Sequence, residues 1–434
     1  MHDETPGSDT PAWTREHAAG ITRRDDATAP VIYPPETNTD PDYHVWDTWL
    51  LRERDGSIAT PGGYRVIFCL SAPAELLPGK RHDVATIRYF YSTDGEEWYR
   101  GGVAVDPDAA FGSRQWAGSA LLDDDGTCYL YYTAAGQSGE EDLTYTQRLA
   151  CAAGGTVETG GQGLSLQGPW EHEILAEPDG DWYETEDQSR GMIYTFRDPW
   201  FFEDPADGET YLLFEANTPV PEGSPACGGD AAQQEFNGSI GIAHSPSGDP
   251  TDWTLQGPLL DAVGVNQELE RPHIVVDDGR YYLFTASHVH TFAPGLSGYD
   301  ALYGFVADDL RGDYQPLNDS GLVLTNPKNA PFQAYSWMVY KHRNELLVTS
   351  FFNYYDFDRP SLDDVALLPE DEQMRRFGGT LAPTVRLGFG DGETWLRGVL
   401  KHGHLPTEDE DLPPADFAER YGTRDAEESG YLYR

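Results

Sequence analysis

Lysine is almost missing from this chain: Lys80, Lys328, Lys341 and Lys401 are the only ones in 434 residues, and every other basic side chain is arginine. Acids outnumber bases 74 to 29, so the formal net charge is −45. Such a field repels phosphate backbones and argues against nucleic acid as a partner. It also keeps a protein dispersed where salt screens ordinary repulsion, so a high-salt habitat is expected. Cysteine is equally scarce. Cys69, Cys128, Cys151 and Cys227 show neither CxxC spacing nor a zinc pattern, and Cys69 and Cys128 sit in apolar, strand-like runs where a buried thiol is the ordinary state. No apolar run reaches membrane-spanning length, so no membrane partner is expected. Met1-His2-Asp3-Glu4-Thr5 lacks the apolar stretch of a signal peptide, and Arg23-Arg24 lacks the hydrophobic segment that twin-arginine export requires. No Gly-x-Ser-x-Gly elbow occurs. Gly154–Gly168 has no Gly-Lys-Ser/Thr element, so this glycine-rich stretch is expected as a surface insertion rather than a phosphate loop. Long helical periodicity is nearly absent as well.

Aromatic residues are plentiful, with Trp 11, Tyr 25 and Phe 18. Aromatic and β-branched runs recur at residues 64–70, 86–92, 128–133, 210–214, 281–285 and 346–352, punctuated by Asp-Gly pairs such as Asp125-Gly126, Asp278-Gly279 and Asp391-Gly392. Asp-Gly supplies the positive φ angles of tight hairpins, so the body reads as strand, turn, strand throughout. Many hairpins in one long chain fit a sandwich, a barrel or a propeller. Three acidic motifs fall in different hairpin units, and inner propeller strands gather distant segments around one axis. The expectation is therefore an all-β, five-bladed β-propeller with a central funnel-shaped pocket. Residues 1–40 read as a loosely held N-terminal arm, 41–405 as the propeller, and 406–434 as an acidic tail with one short helix near Ala415–Tyr421.

The three motifs are Val45-Trp46-Asp47-Thr48-Trp49, Phe196-Arg197-Asp198-Pro199 and Glu268-Leu269-Glu270-Arg271-Pro272-His273. Each places a carboxylate among apolar or aromatic residues, which is costly without a partner or a task. Taken alone, Asp47 reads more simply as a strand-edge acid bonded to backbone, and Asp198 as half of an ion pair opening a turn. Proline, however, confines Asp198 to extended geometry and fixes where its carboxylate points. Glu268 and Glu270 share one face of a regular strand, where two like charges raise at least one pKa unless a cation intervenes. Arg271 would point to the opposite face. A glutamate so raised suits general-acid work near neutrality; the plainer alternative is an exposed acidic edge in an acidic protein. His288-Val289-His290 lacks further ligands at zinc-like spacing, so neither a metal nor a cofactor is expected.

Together these motifs resemble glycoside hydrolase family 68, the levansucrase, inulosucrase and β-fructofuranosidase family, in its Gram-negative-like branch. The similarity runs from about Val45 to Arg386 and includes Gln115-Trp116-Ala117-Gly118-Ser119-Ala120, Gln333-Ala334-Tyr335-Ser336 and Gly378-Gly379-Thr380-Leu381-Ala382-Pro383. The resemblance implies a propeller whose pocket accepts sucrose, with Asp47 as nucleophile, Glu270 as general acid/base and Asp198 as transition-state stabiliser. It further implies that Trp46, Trp116, Arg197, Glu268, His288 and Tyr335 shape the sucrose site, His288 standing where Gram-positive members carry arginine and this branch carries histidine. The chain departs from the pattern in three places. Leu50 replaces a proline common after the second tryptophan. Ala117 replaces a serine that can bond the nucleophile. Gln267 replaces a calcium-ligating aspartate of Gram-positive relatives, so that metal site is not carried over.

The expected activity is thus retaining fructosyl transfer from sucrose to fructan or oligosaccharide acceptors. Two rivals stand beside it: a β-fructofuranosidase that passes fructose to water, and a non-catalytic glycan-binding propeller. Binding alone has no use for a nucleophile and an acid, which weighs against the last. Sucrose polymerisation belongs outside the cell, so an extracellular location is expected although no signal peptide is visible.

Overall fold

The structure, a computed structural model, describes residues 10–161, 163–407 and 410–412. Strand-forming runs joined by left-handed turn residues leave antiparallel hairpins as the natural local structure. Asp278 and Gly279, with φ of 49° and 76°, turn Glu270–Asp277 back onto Arg280–Ser287; Asp391 and Gly392, at 52° and 80°, do the same for Pro383–Gly390 and Glu393–His402.

The strands sort into five consecutive antiparallel units, spanning residues 43–103, 114–176, 196–261, 270–325 and 334–402. Their first strands are β1 (Tyr43–Arg52), β2 (Arg114–Leu122), β3 (Phe196–Glu203), β4 (Glu270–Asp277) and β5 (Ala334–His342). Each packs against the next, and β5 returns to β1, closing a ring. The strands β1 and β2 also share a short parallel pairing, Leu51 with Ala120 and Arg52 with Leu121. With each unit taken as one blade, this is the all-β propeller expected from the hairpins. Trp46, Trp49, Trp337, Tyr131 and Phe68 are fully buried, and each such ring contributes about 1.5–3 kcal/mol of burial.

The inner strands share an irregularity. In β1, β3, β4 and β5 the pairing register slips near the start, and the residue at the slip is left-handed: Asp47, Asp198, Arg271 and Ser336 have φ of 42°, 62°, 51° and 59°. β2 slips at the matching place, Ala117. These are β-bulges, and a non-glycine residue held so costs on the order of 1–3 kcal/mol.

One local expectation needs correction. The described part of the N-terminal arm, residues 10–40, is not loosely held: Trp13 is buried against Phe292, Tyr303 and Phe305, and its indole donates to Ser320 O at 3.0 Å. That segment exchanges backbone bonds with Asp261 and Thr325, and Gln333 grips Ile32 N and Pro30 O, so it straps the third, fourth and fifth units. The glycine-rich stretch lies largely at the surface, as expected. It is a regular hairpin, Gln147–Gly160 paired with Gly163–Gln167, at the edge of the second unit. The helix expected near Ala415–Tyr421 lies outside the described residues. After the fifth unit the chain reaches back to the first, where Leu405 N donates to Gly95 O at 2.9 Å; Gly95 has φ of 75°, and a Cβ there would strike Leu405 O.

Candidate active site

A bulge turns successive side chains toward the same side of a strand, and here that side is the mouth of the ring. The bulge positions and the residues just before them supply Asp47, Trp116, Ala117, Arg197, Asp198, Glu270, Arg271, Tyr335 and Ser336. All of these line one cavity of about 400 Å³, together with Glu268, His288 and His290. Of the residues singled out from sequence, Asp47, Asp198, Glu270, Trp116, Arg197, Glu268, His288 and Tyr335 therefore meet. Trp46 does not line the cavity. It is buried behind the wall, edge-on to His82 at 5.4 Å and 5.5 Å from the Arg81 guanidinium. His82 O accepts from the Trp116 indole at 3.1 Å, so both tryptophans lean on one histidine.

Arg197 is the hub. Its Nη2 lies 3.1 Å from both Glu268 Oε1 and Glu270 Oε1, and its Nε donates to Glu215 Oε2 at 2.6 Å. Burial disfavours its charge, but the carboxylates of Glu215, Glu270 and Glu268 win and hold it firmly as a guanidinium. The cation between the two glutamates, left open by the sequence, is this arginine. Arg271 also departs from the regular-strand expectation. The left-handed bulge swings it into the cavity wall, where it donates to Ser336 Oγ at 2.7 Å and to Thr48 O at 2.7 Å.

The two aspartates, Asp198 buried and Asp47 half-buried, are tuned differently from surface acids. Burial pushes Asp47 upward; Arg271, the Ser336 hydroxyl and Arg81 pull against it, while Glu270 adds to the rise. The hydroxyl that Ala117 cannot offer is thus supplied by Ser336 of the neighbouring strand β5. Asp198 is raised to about 7, chiefly by burial, with Arg197 opposing. Its Oδ2 accepts Arg271 N–H at 3.0 Å, and its own N–H donates to Thr133 Oγ1 at 2.9 Å.

Glu270 is held from both ends. Oε1 faces Arg197, while Oε2 takes the Tyr335 hydroxyl in a close contact and lies 3.8 Å from His288 Nε2. His288 stacks flat on Tyr335, centroids 3.8 Å apart, and on His290 at 5.1 Å. Burial works against its charge, yet Asp300, 2.9 Å from Nδ1, and Glu270 raise it to about 9, so it is an imidazolium at neutrality. Gln267 is wholly occupied: Oε1 accepts from Met192 N and Nε2 donates to Ile193 O, tying down a loop beside the cavity.

Sequence reasoning missed Glu215, Arg271, Asp300 and Ser336. Glu215 left a signal, being a lone acid in the apolar strand Thr210–Asn217. Ser336 and Arg271 stood inside quoted motifs, but regular alternation hid their direction. Asp300 left none.

A closed ring of strands that gathers carboxylates, arginines and aromatic rings in one central cavity defines a β-propeller of the glycoside hydrolase kind. The chain matches the Levansucrase/Invertase family model over residues 2–406. It is 36% identical over 426 residues to a levansucrase of Rahnella aquatilis, covering 91% of this chain and 96% of that one. Identity to an extracellular sucrase of Zymomonas mobilis is 35% over 422 residues, covering 91% and 94%. Among solved structures, an inulosucrase from Halalkalicoccus jeotgali bound to kestose superposes with a TM-score of 0.91 at 64% identity, covering 93% of this chain and 99% of that one. The β-fructofuranosidase catalytic domain of Microbacterium saccharophilum K-1 superposes with a TM-score of 0.78 at 30% identity, covering 93% and 95%. This chain belongs to glycoside hydrolase family 68.

Proposed function

We propose that this protein is a retaining fructosyltransferase: it takes sucrose as donor, releases glucose and passes fructose to a growing fructan or an oligosaccharide. The levansucrase and inulosucrase relatives support that activity. The observation that carries the residue assignment is the shared guanidinium of Arg197, which ties Glu268 and Glu270 into the cavity that also holds Asp47 and Asp198.

In this reading Glu270 gives its proton to the glycosidic oxygen while Asp47 attacks the anomeric carbon of the fructosyl ring. The bond to glucose breaks, the electron pair leaves with the glucose oxygen, and a covalent fructosyl-enzyme forms on Asp47. Glu270 then takes the proton of the acceptor hydroxyl as that oxygen displaces Asp47. Retaining pairs of this kind work at about 5–5.5 Å. Asp198, fixed by Arg271 N–H and Thr133, grips fructosyl hydroxyls, and Trp116, Arg197, Glu268, His288 and Tyr335 shape the donor site with Trp46 backing the wall. Ser336 and Arg271 favour the charged form of Asp47, although burial, the stronger influence, raises its pKa overall.

We place the activity outside the cell, as the name of the Zymomonas relative and the size of a fructan product suggest. Among the described residues no helix is long and apolar enough to cross a membrane. The test is to incubate the protein with sucrose and follow both sugars. Glucose in excess of free fructose is expected. Equal amounts would make it a hydrolase, no glucose at all a binder, and NMR of the product reads the linkage.

A further inference from the structure

The ring has a second mouth. The far ends of β1, β3, β4 and β5 surround a cavity of about 850 Å³, larger than the 400 Å³ of the candidate active site. In its wall sits Arg52, buried, its guanidinium carbon over the Trp200 ring at 3.6 Å from the centroid. Among the described residues its guanidinium makes one hydrogen bond, from Nη2 to Phe201 O at 2.6 Å. Nε of Arg52 and Nε1 of Trp200 are both buried without an acceptor among the described residues.

No carboxylate answers this charge at ion-pair distance among the described residues, although the chain carries 74 acids. Asp55 acts on Arg52 from farther away and spends an oxygen on Ser57 N–H at 2.9 Å. Neighbouring cations are satisfied: Lys341 contacts Asp277, and Arg54 holds Asp123 and Glu203. Burial lowers Arg52 only to about 10, so it remains charged at neutrality. A buried, uncompensated cation is unfavourable unless something of opposite charge reaches it.

We infer that this end of the ring holds a small monovalent anion, chloride, against the Arg52 guanidinium and the Trp200 indole N–H. One unanswered positive charge calls for one negative charge, and the two orphaned groups are both donors. A sugar is disfavoured because the guanidinium already covers the Trp200 face on which it would stack. The overall charge of −45 repels anions at low salt. That repulsion collapses once the screening length falls to about 3 Å in molar salt, so screening and mass action fill the site together.

Crystals soaked in sodium bromide should show an anomalous peak beside Arg52 and Trp200. In solution, the saturable part of the ³⁵Cl NMR line broadening caused by the protein should vanish in Arg52→Met. Trp200→Phe, which keeps the ring and removes the donor, should weaken it and covers the case in which Arg52→Met does not fold. Absence of the bromide peak from that position overturns the proposal. So does saturable broadening that is the same in wild type and in whichever variant folds.

Discussion

Glu270 touches Arg197, Tyr335 and His288 at once, so its substitution tests more than a proton. Asp47→Ala and Glu270→Ala should each lower kcat by about 10³-fold or more, the scale on which nucleophile and acid losses register. Steady-state sucrose assays read this, and near-normal turnover in either variant removes that residue from its role. His288 offers a pH signature. Its pKa is raised in the fold, so the stability it contributes is complete below the unfolded value of about 6.5 and drains away as pH climbs through about 9. Melting temperature should therefore fall across that window in the wild type, and His288→Phe should flatten the fall. An identical slope in the variant refutes the assignment. Asp47, Asp198 and Glu270 stood out in the sequence against tryptophan and proline, but the roles proposed for them follow from the family resemblance. Asp300 did not stand out, since nothing local marks an acid whose partner is set by a loop.

The bulges explain what alternation could not. Period-two reasoning sends Arg271 away from Glu270, whereas a left-handed residue at that point swings it into the wall beside Ser336. The same step in β1, β3 and β5 aims Asp47, Asp198 and Ser336. Hairpins were legible because Asp-Gly fixes turns locally; the bulges were not, because they are imposed by neighbours in the ring. The N-terminal strap carries a similar lesson. Its proline- and threonine-rich composition suggests slack chain, but one tryptophan docked among Phe292, Tyr303 and Phe305 outweighs composition. Trp13→Ala should cost about 3–5 kcal/mol of stability with sucrose KM little changed. Denaturant unfolding measures the first and initial rates the second; a loss below about 1 kcal/mol would show the strap to be dispensable.

At the scale of the whole molecule, charge governs behaviour. With four lysines and a net −45, self-repulsion should destabilise the fold at low ionic strength. Both melting temperature and sucrose turnover should rise with sodium chloride toward molar concentrations. Highest activity in dilute buffer would contradict the reading of the composition.

The ring also sets the terms on which the chain can be divided. β1, β3, β4 and β5 each hang at least one polar group in the cavity, and β2 brings the tryptophan that faces them. No partial assembly of units encloses this cavity, so a fragment spanning three of them should show no sucrose turnover at all. The outer hairpins bear no such duty. A nick or a new terminus placed there leaves the chamber whole.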